Sequence, residues 1–186
     1  MRKNSHYKLS IRFSLIIFIS ITFIYIVHFV EASYVPATGK KRELFAKKIS
    51  EIAVQYIGIR YKFGGDFKKS QSVDNSRLFC LIYAQAAEQS GLLFSGFMPM
   101  EMLLKNTVEV KRNDLAAGDL MVLINGLAAM IYKFENRDKF HLIYASEKRQ
   151  EVISFNSQNV VFEAYWLKNL KGYFRLSKDI LVLPQN

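Results

Sequence analysis

Between Leu120 and Ser177 the chain repeats one pattern five times: a short apolar, β-branched or aromatic run closed by a polar turn. The runs are "LMVLI" (Leu120–Ile124), "LAAMIYKF" (Leu127–Phe134), "FHLIYAS" (Phe140–Ser146), "EVISFN" (Glu151–Asn156) and "GYFRLS" (Gly172–Ser177). Each has strand length and strand composition. Two helical patterns precede them. In "RELFAKKISEIAVQYIG" (Arg42–Gly58) the apolar residues Leu44, Phe45, Ile49, Ile52, Ala53, Tyr56 and Ile57 recur mostly at spacings of three or four, giving one apolar face. A polar loop follows, and Asp74 and Ser76 are both suited to cap a second helix over Ser76–Ser90, which Gly91 ends. Helices followed by a run of strands predict an α+β domain, with helices packed on an antiparallel sheet of five to six strands.

Ahead of this domain stands "FSLIIFISITFIYIVHFV" (Phe13–Val30), with Arg2, Lys3, Lys8 and Arg12 before it. As a helix it would rise about 27 Å, enough to cross a hydrocarbon core. It reads as one N-terminal hydrophobic helix, either an uncleaved membrane anchor or a signal cleaved after Ala32. The basic flank would stay in the cytoplasm, so the rest is expected to be exported: anchored in the inner membrane and facing the periplasm or extracytoplasmic space, or secreted if the helix is removed. The expected division is 1–32 as signal or anchor, 33–43 as linker and 44–186 as the folded domain.

Charge and rare residues narrow the functions. The net charge is +10, of which the exported part carries the larger share. For such a chain the natural polyanions are lipid headgroups and cell-wall polymers, and no nucleic-acid motif is present. Cys80 is the single cysteine, which excludes an intrachain disulfide. The histidines are His6, His28 and His141, so the folded part has one imidazole. No His-Cys-Asp cluster has ligand spacing, and neither metal nor cofactor is expected.

"GIRYKFGG" (Gly58–Gly65), "DNSR" (Asp74–Arg77), the strand entry Gly118-Asp119-Leu120, "AAMIY" (Ala128–Tyr132), "IYAS" (Ile143–Ser146) and "AYWLKNLKGYFRL" (Ala164–Leu176) follow one another in an order that resembles the NlpC-type cell-wall peptidases. These are papain-like cysteine enzymes that cut peptidoglycan stem peptides. The resemblance covers roughly residues 44–176 and implies a papain-like NlpC-type fold. It also implies a nucleophilic cysteine at position 75, a histidine at 128 and an orienting polar group at 144. This chain has Asn75, Ala128 and Tyr144 there. An amide nitrogen is conjugated and does not attack, and a methyl group moves no proton. Tyr61, Asp74, Asn75, Ser76 and Tyr144 are therefore the candidate binding residues, and no catalytic residue is assigned.

Replacements for the lost groups are poorly placed. Cys80 lies five residues beyond Asn75, about 140° round a helix and within the apolar stretch "LFCLIYA". His141 is an odd number of residues from Tyr144, which puts the two on opposite faces of a strand. Ser76 is explained by capping. The aromatics Phe94, Phe97, Tyr165, Trp166, Tyr173 and Phe174 form either a ligand wall or core. "ENRDK" (Glu135–Lys139) lengthens a charged hairpin. Three functions remain open: a non-catalytic domain binding stem peptide or an envelope protein, a peptidase with a relocated nucleophile built from Cys80 or Ser76 with His141, and an envelope-assembly scaffold.

Overall fold

The computed structural model describes residues 39–184. The N-terminal apolar segment and its expected role as anchor or signal lie outside the described residues. Among the described residues no helix is long and apolar enough to cross a membrane.

Helix α1 spans Gly39–Ala53 and buries Phe45, Ile49, Ile52 and Ala53 of the expected apolar face, whereas Leu44 and Ile57 are exposed and the α-helix stops short of Gly58. Residues 39–43, expected at the end of a linker, are helical, and Lys41 Nζ donates to the Gly91 carbonyl at 2.8 Å. A 3-10 turn (Val54–Tyr56) leads to β1 (Arg60–Tyr61), the one-turn helix α2 (Phe67–Ser70) and β2 (Ser72–Val73). The long helix α3 (Asn75–Gln89) follows, with Asp74 rather than Ser76 as its N-cap. Then come β3 (Leu93–Phe94), α4 (Met100–Lys105), β4 (Thr107–Val110), β5 (Leu120–Leu123), β6 (Ala128–Phe134), β7 (Phe140–Ser146) and β8 (Glu151–Asn156). A π-helical segment (Phe162–Leu167), β9 (Leu170–Leu176) and β10 (Leu181–Val182) complete the order.

The main sheet has eight strands in the order β2-β1-β8-β7-β6-β5-β9-β4, and β10 pairs with β3 separately. The expected five to six strands are thus too few. β1 and β2 have two residues each and β4 four, too short for an alternation to register in sequence. β1 and β2 also run parallel, joined by the loop containing α2, whereas the other pairs in the sheet are antiparallel.

The sheet is covered on both faces. The inner face packs Val122, Met130, Ile143 and Val152 against α1 and α3. The outer face packs Met121, Ile131, Phe140 and Leu142 beneath Phe162 and Trp166 of the π-helical segment. Double burial explains why β5 and most of β6 read as continuous apolar runs rather than alternating ones. The aromatic cluster divides accordingly. Trp166 and Tyr173 are core, Phe94 and Phe174 pack at its edge, Tyr165 is exposed, and Phe97 is exposed beneath the Arg77 guanidinium at 3.8 Å.

Tyr83 of α3 is wholly buried and donates to the Gly118 carbonyl at 2.6 Å. Burial pushes its hydroxyl well above the ordinary tyrosine value, and burial likewise raises Tyr56. The unfolded chain ionises these groups at about pH 10 while the folded one keeps its protons. Their contribution is therefore complete below about pH 10 and is lost as pH rises toward the folded values. The urea midpoint is expected to fall between pH 9 and 11, and to fall less steeply in Tyr83→Phe.

Candidate functional site

The site builds outward from a turn. Gly65 N donates to the Lys62 carbonyl at 2.9 Å, and Gly64 has φ +65°, so Lys62–Gly65 closes a turn needing glycine at its third position. Gly65 is constrained differently: a Cβ there would lie 2.8 Å from the Ser72 carbonyl oxygen and 2.9 Å from that of Lys62. Asp74 fastens this turn to α3. Its Oδ2 accepts from Gly64 N at 2.9 Å, and its Oδ1 accepts from Arg77 N and from Ser76 Oγ, both at 2.8 Å. A carboxylate capping a helix start also meets the positive end of the helix dipole.

Asn75, the first residue of α3, points at the sheet. Its Oδ1 accepts a hydrogen bond from Ala145 N at 2.7 Å. The β6–β7 ladder ends with Met130 opposite Ile143, so Ala145, itself 2% exposed, lies beyond its last rung. The amide supplies the acceptor that a continuing ladder would have supplied. Ala128 is fully buried in the inner core. The helix start thus carries an internal strut to the sheet.

Tyr61, half-buried, packs on the inner core near Asp74 and Glu147. Burial first, then these two carboxylates, raises its hydroxyl pKa. Ser76 is 9% exposed and spends its hydroxyl on Asp74. Tyr61, Asp74, Asn75 and Ser76 therefore lie together around the start of α3.

The Tyr144 side chain does not join them. It faces the outer side of the sheet, edge-on to Phe155 at 5.9 Å and Trp166 at 5.3 Å between ring centroids. Side chains alternate at period two, so a one-residue offset reverses the face. The register shift between Ile131 and Lys133 makes linear spacing a poor guide to register here. On β7 the residues facing the helices are Ile143 and Ala145.

Tyr144 instead floors a cleft of about 660 Å³ whose lining includes Asn125, Leu127, Ser146, Lys148 and Tyr165. A second cavity of about 370 Å³ shares Tyr144, Ser146 and Lys148 and adds Arg149, Phe155 and Asn159. The Lys148 and Arg149 side chains are exposed and form no ion pair or hydrogen bond among the described residues. The sequence offers Tyr144 and Tyr165 as candidates but gives no sign that they share this cleft. Its polar groups come from the β5–β6 turn, the end of β7, the β7–β8 turn and the segment after β8, and its aromatic floor from two strands and the π-helical segment, with no local motif.

The remaining reactive side chains are engaged elsewhere. Cys80 is 4% exposed, its Sγ accepting from Met98 N at 3.4 Å. Burial pushes its thiol pKa up. His141 Nε2 lies 2.6 Å from Glu135 Oε1, whose other oxygen pairs with Lys139 at 2.6 Å. The charged hairpin holds its own histidine. Among the described residues no group of three His, Cys, Asp or Glu could hold a metal ion.

No protein-family model matches this sequence, and no curated protein matches it. Among solved structures, the crystal structure of an NlpC/P60 family protein from Bacillus cereus ATCC 10987 is similar, with a TM-score of 0.51 at 16% identity. The match covers 73% of this chain and 40% of that one, so the likeness spans two fifths of that neighbour's length. At this identity the likeness is one of fold. The class defined here is a mixed α+β domain with an NlpC/P60-like arrangement of helices on a sheet.

Proposed function

We propose that this chain is a catalytically silent NlpC-type domain that binds a peptidoglycan stem peptide or an envelope protein and cuts neither. Export, and attachment to the membrane through residues 13–30, belong to the same proposal and rest on the sequence. One observation carries the reading: the side chain at the helix start is an amide whose oxygen is spent on Ala145 N–H. Thiol peptidase chemistry needs a sulfur free to attack and an imidazole to pass its proton to the leaving amine. Asn75 and the buried Ala128 supply neither. A relocated pair is disfavoured by burial of Cys80 against Met98 and by engagement of His141 with Glu135.

The Tyr144 cleft supports binding. It offers aromatic walls and, at its edge, two cations, Lys148 and Arg149, against one carboxylate, Glu147, a balance that suits a short peptide carrying free carboxylates. The purified chain incubated with peptidoglycan fragments is expected to release no new peptide ends by mass spectrometry, with or without Cys80→Ala. Calorimetry with a muropeptide is expected to give binding that weakens about tenfold in Lys148→Glu/Arg149→Glu, from loss of two charge-assisted contacts. Turnover abolished by Cys80→Ala would overturn the silent reading. Absence of binding at millimolar fragment would remove the wall peptide as ligand and leave the envelope protein.

A further inference from the structure

Phe63 is 85% exposed, more than any other large apolar side chain among the described residues. It sits at the second position of the Lys62–Gly65 turn, and that turn is fixed on three sides. Gly64 N bonds Asp74, Lys62 N donates to the Val73 carbonyl at 3.0 Å, and Arg77 Nε donates to the Gly65 carbonyl at 3.3 Å. An aromatic ring is thus held in water by a braced support. Three exposed lysines flank it in the same excursion of the chain: Lys62 within the turn, Lys68 and Lys69 on α2. Their ammonium groups have no ion pair or hydrogen bond among the described residues. The one carboxylate of the segment, Asp66, accepts from Lys68 N as the cap of α2. Arg60 stands opposite Glu151 in the β1–β8 register and is not counted with them.

We propose that the Lys62–Lys69 excursion is a docking surface for an anionic lipid bilayer, with Phe63 entering the headgroup–acyl boundary and Lys62, Lys68 and Lys69 meeting lipid phosphates. The inference is independent of any ligand in the Tyr144 cleft. Charge complementarity alone would suit a soluble polyanion equally well. The ring decides between them, because a hydrated polymer gives an isolated exposed phenyl group nothing apolar to enter, whereas a bilayer interface does. Bracing of the turn lowers the ordering cost of docking. Each lysine near a charged membrane contributes roughly a fivefold gain in partitioning. Docking would fix the orientation of the sheet against the membrane.

The test uses the full chain, reconstituted in vesicles of phosphatidylcholine alone or with phosphatidylglycerol. Its N-terminal apolar segment is then present in every arm. Phe63→Cys is labelled with an environment-sensitive, apolar fluorophore, and Cys80 is spared because it is buried with a raised thiol pKa. The emission is expected to shift to the blue, and to be quenched by lipid-borne nitroxide, with phosphatidylglycerol but not without it. Replacing Lys62, Lys68 and Lys69 by Glu should reduce the docked fraction about 100-fold or more. Solvent-like emission on both vesicle types would overturn the proposal. So would a shift equal on both and unchanged by the Glu substitutions. Protection of the dye by polyglycerol phosphate without lipid would assign the surface to a wall polymer and also overturn it.

Discussion

Arg175→Met is expected to lower the unfolding free energy by about 3 kcal/mol, with no change in the denaturant slope. Arg175 lies on β9 and grips Asp119 with two parallel bonds, Nε to Oδ1 and Nη2 to Oδ2, both 2.8 Å. Asp119 is 1% exposed at the entry to β5, and its Oδ2 also accepts from Ala116 N at 2.7 Å. The bonds to Asp119 hold the guanidinium above its ordinary pKa. Without Arg175, the buried Asp119 carboxylate would be left with too few donors. Arg175 is about one third exposed, which places the loss at the low end for a broken buried pair. The double variant Asp119→Asn/Arg175→Met should recover part of the loss, because no orphaned charge remains. Urea titrations of the three variants at neutral pH check both statements. A loss under 1 kcal/mol in Arg175→Met would show that the pair contributes little.

The second large effect falls on Asn75. Asn75→Ala is expected to cost about 2 kcal/mol, because Ala145 N–H would be left buried without an acceptor. Asn75→Asp keeps the oxygen and adds charge at a helix N-terminus, so it should retain most of the stability. Asn75→Cys should lose nearly as much as Asn75→Ala, because sulfur is a weak acceptor. It should also remain without peptidase turnover, since the one imidazole among the described residues, His141, is engaged with Glu135. Hydrogen exchange supplies the site-specific check: the Ala145 amide should exchange faster in Asn75→Ala and stay protected in Asn75→Asp. Unchanged protection in Asn75→Ala would remove the strut, and with it the observation on which the silent reading stands.

The helix start is where sequence and structure agree most closely. A glycine pair, a polar loop and Asp-Asn-Ser before an apolar run specify a tight turn and a capped helix through local bonding, and the fold contains both. Cys80 was legible too, since its angle round the helix and its apolar neighbours are consecutive-residue facts. Tyr144 was not. Its face depends on which residues of β6 and β7 stand opposite each other, and a register shift between them breaks the link between spacing and facing. The two-residue strands β1 and β2 were equally invisible, because a pair of residues has no period.

The sequence by itself determined that the folded part holds one thiol and one imidazole, and that helices precede most of the strands. Those are matters of identity and order along the chain. Only the tertiary structure decided that Asn75 is a strut to Ala145, that Tyr144 floors a cleft on the outer face, and that Phe63 stands in water among unpaired lysines. Each depends on residues distant in sequence, or on which side chains find a partner, and that is fixed only when strand register and helix docking are set together by burial.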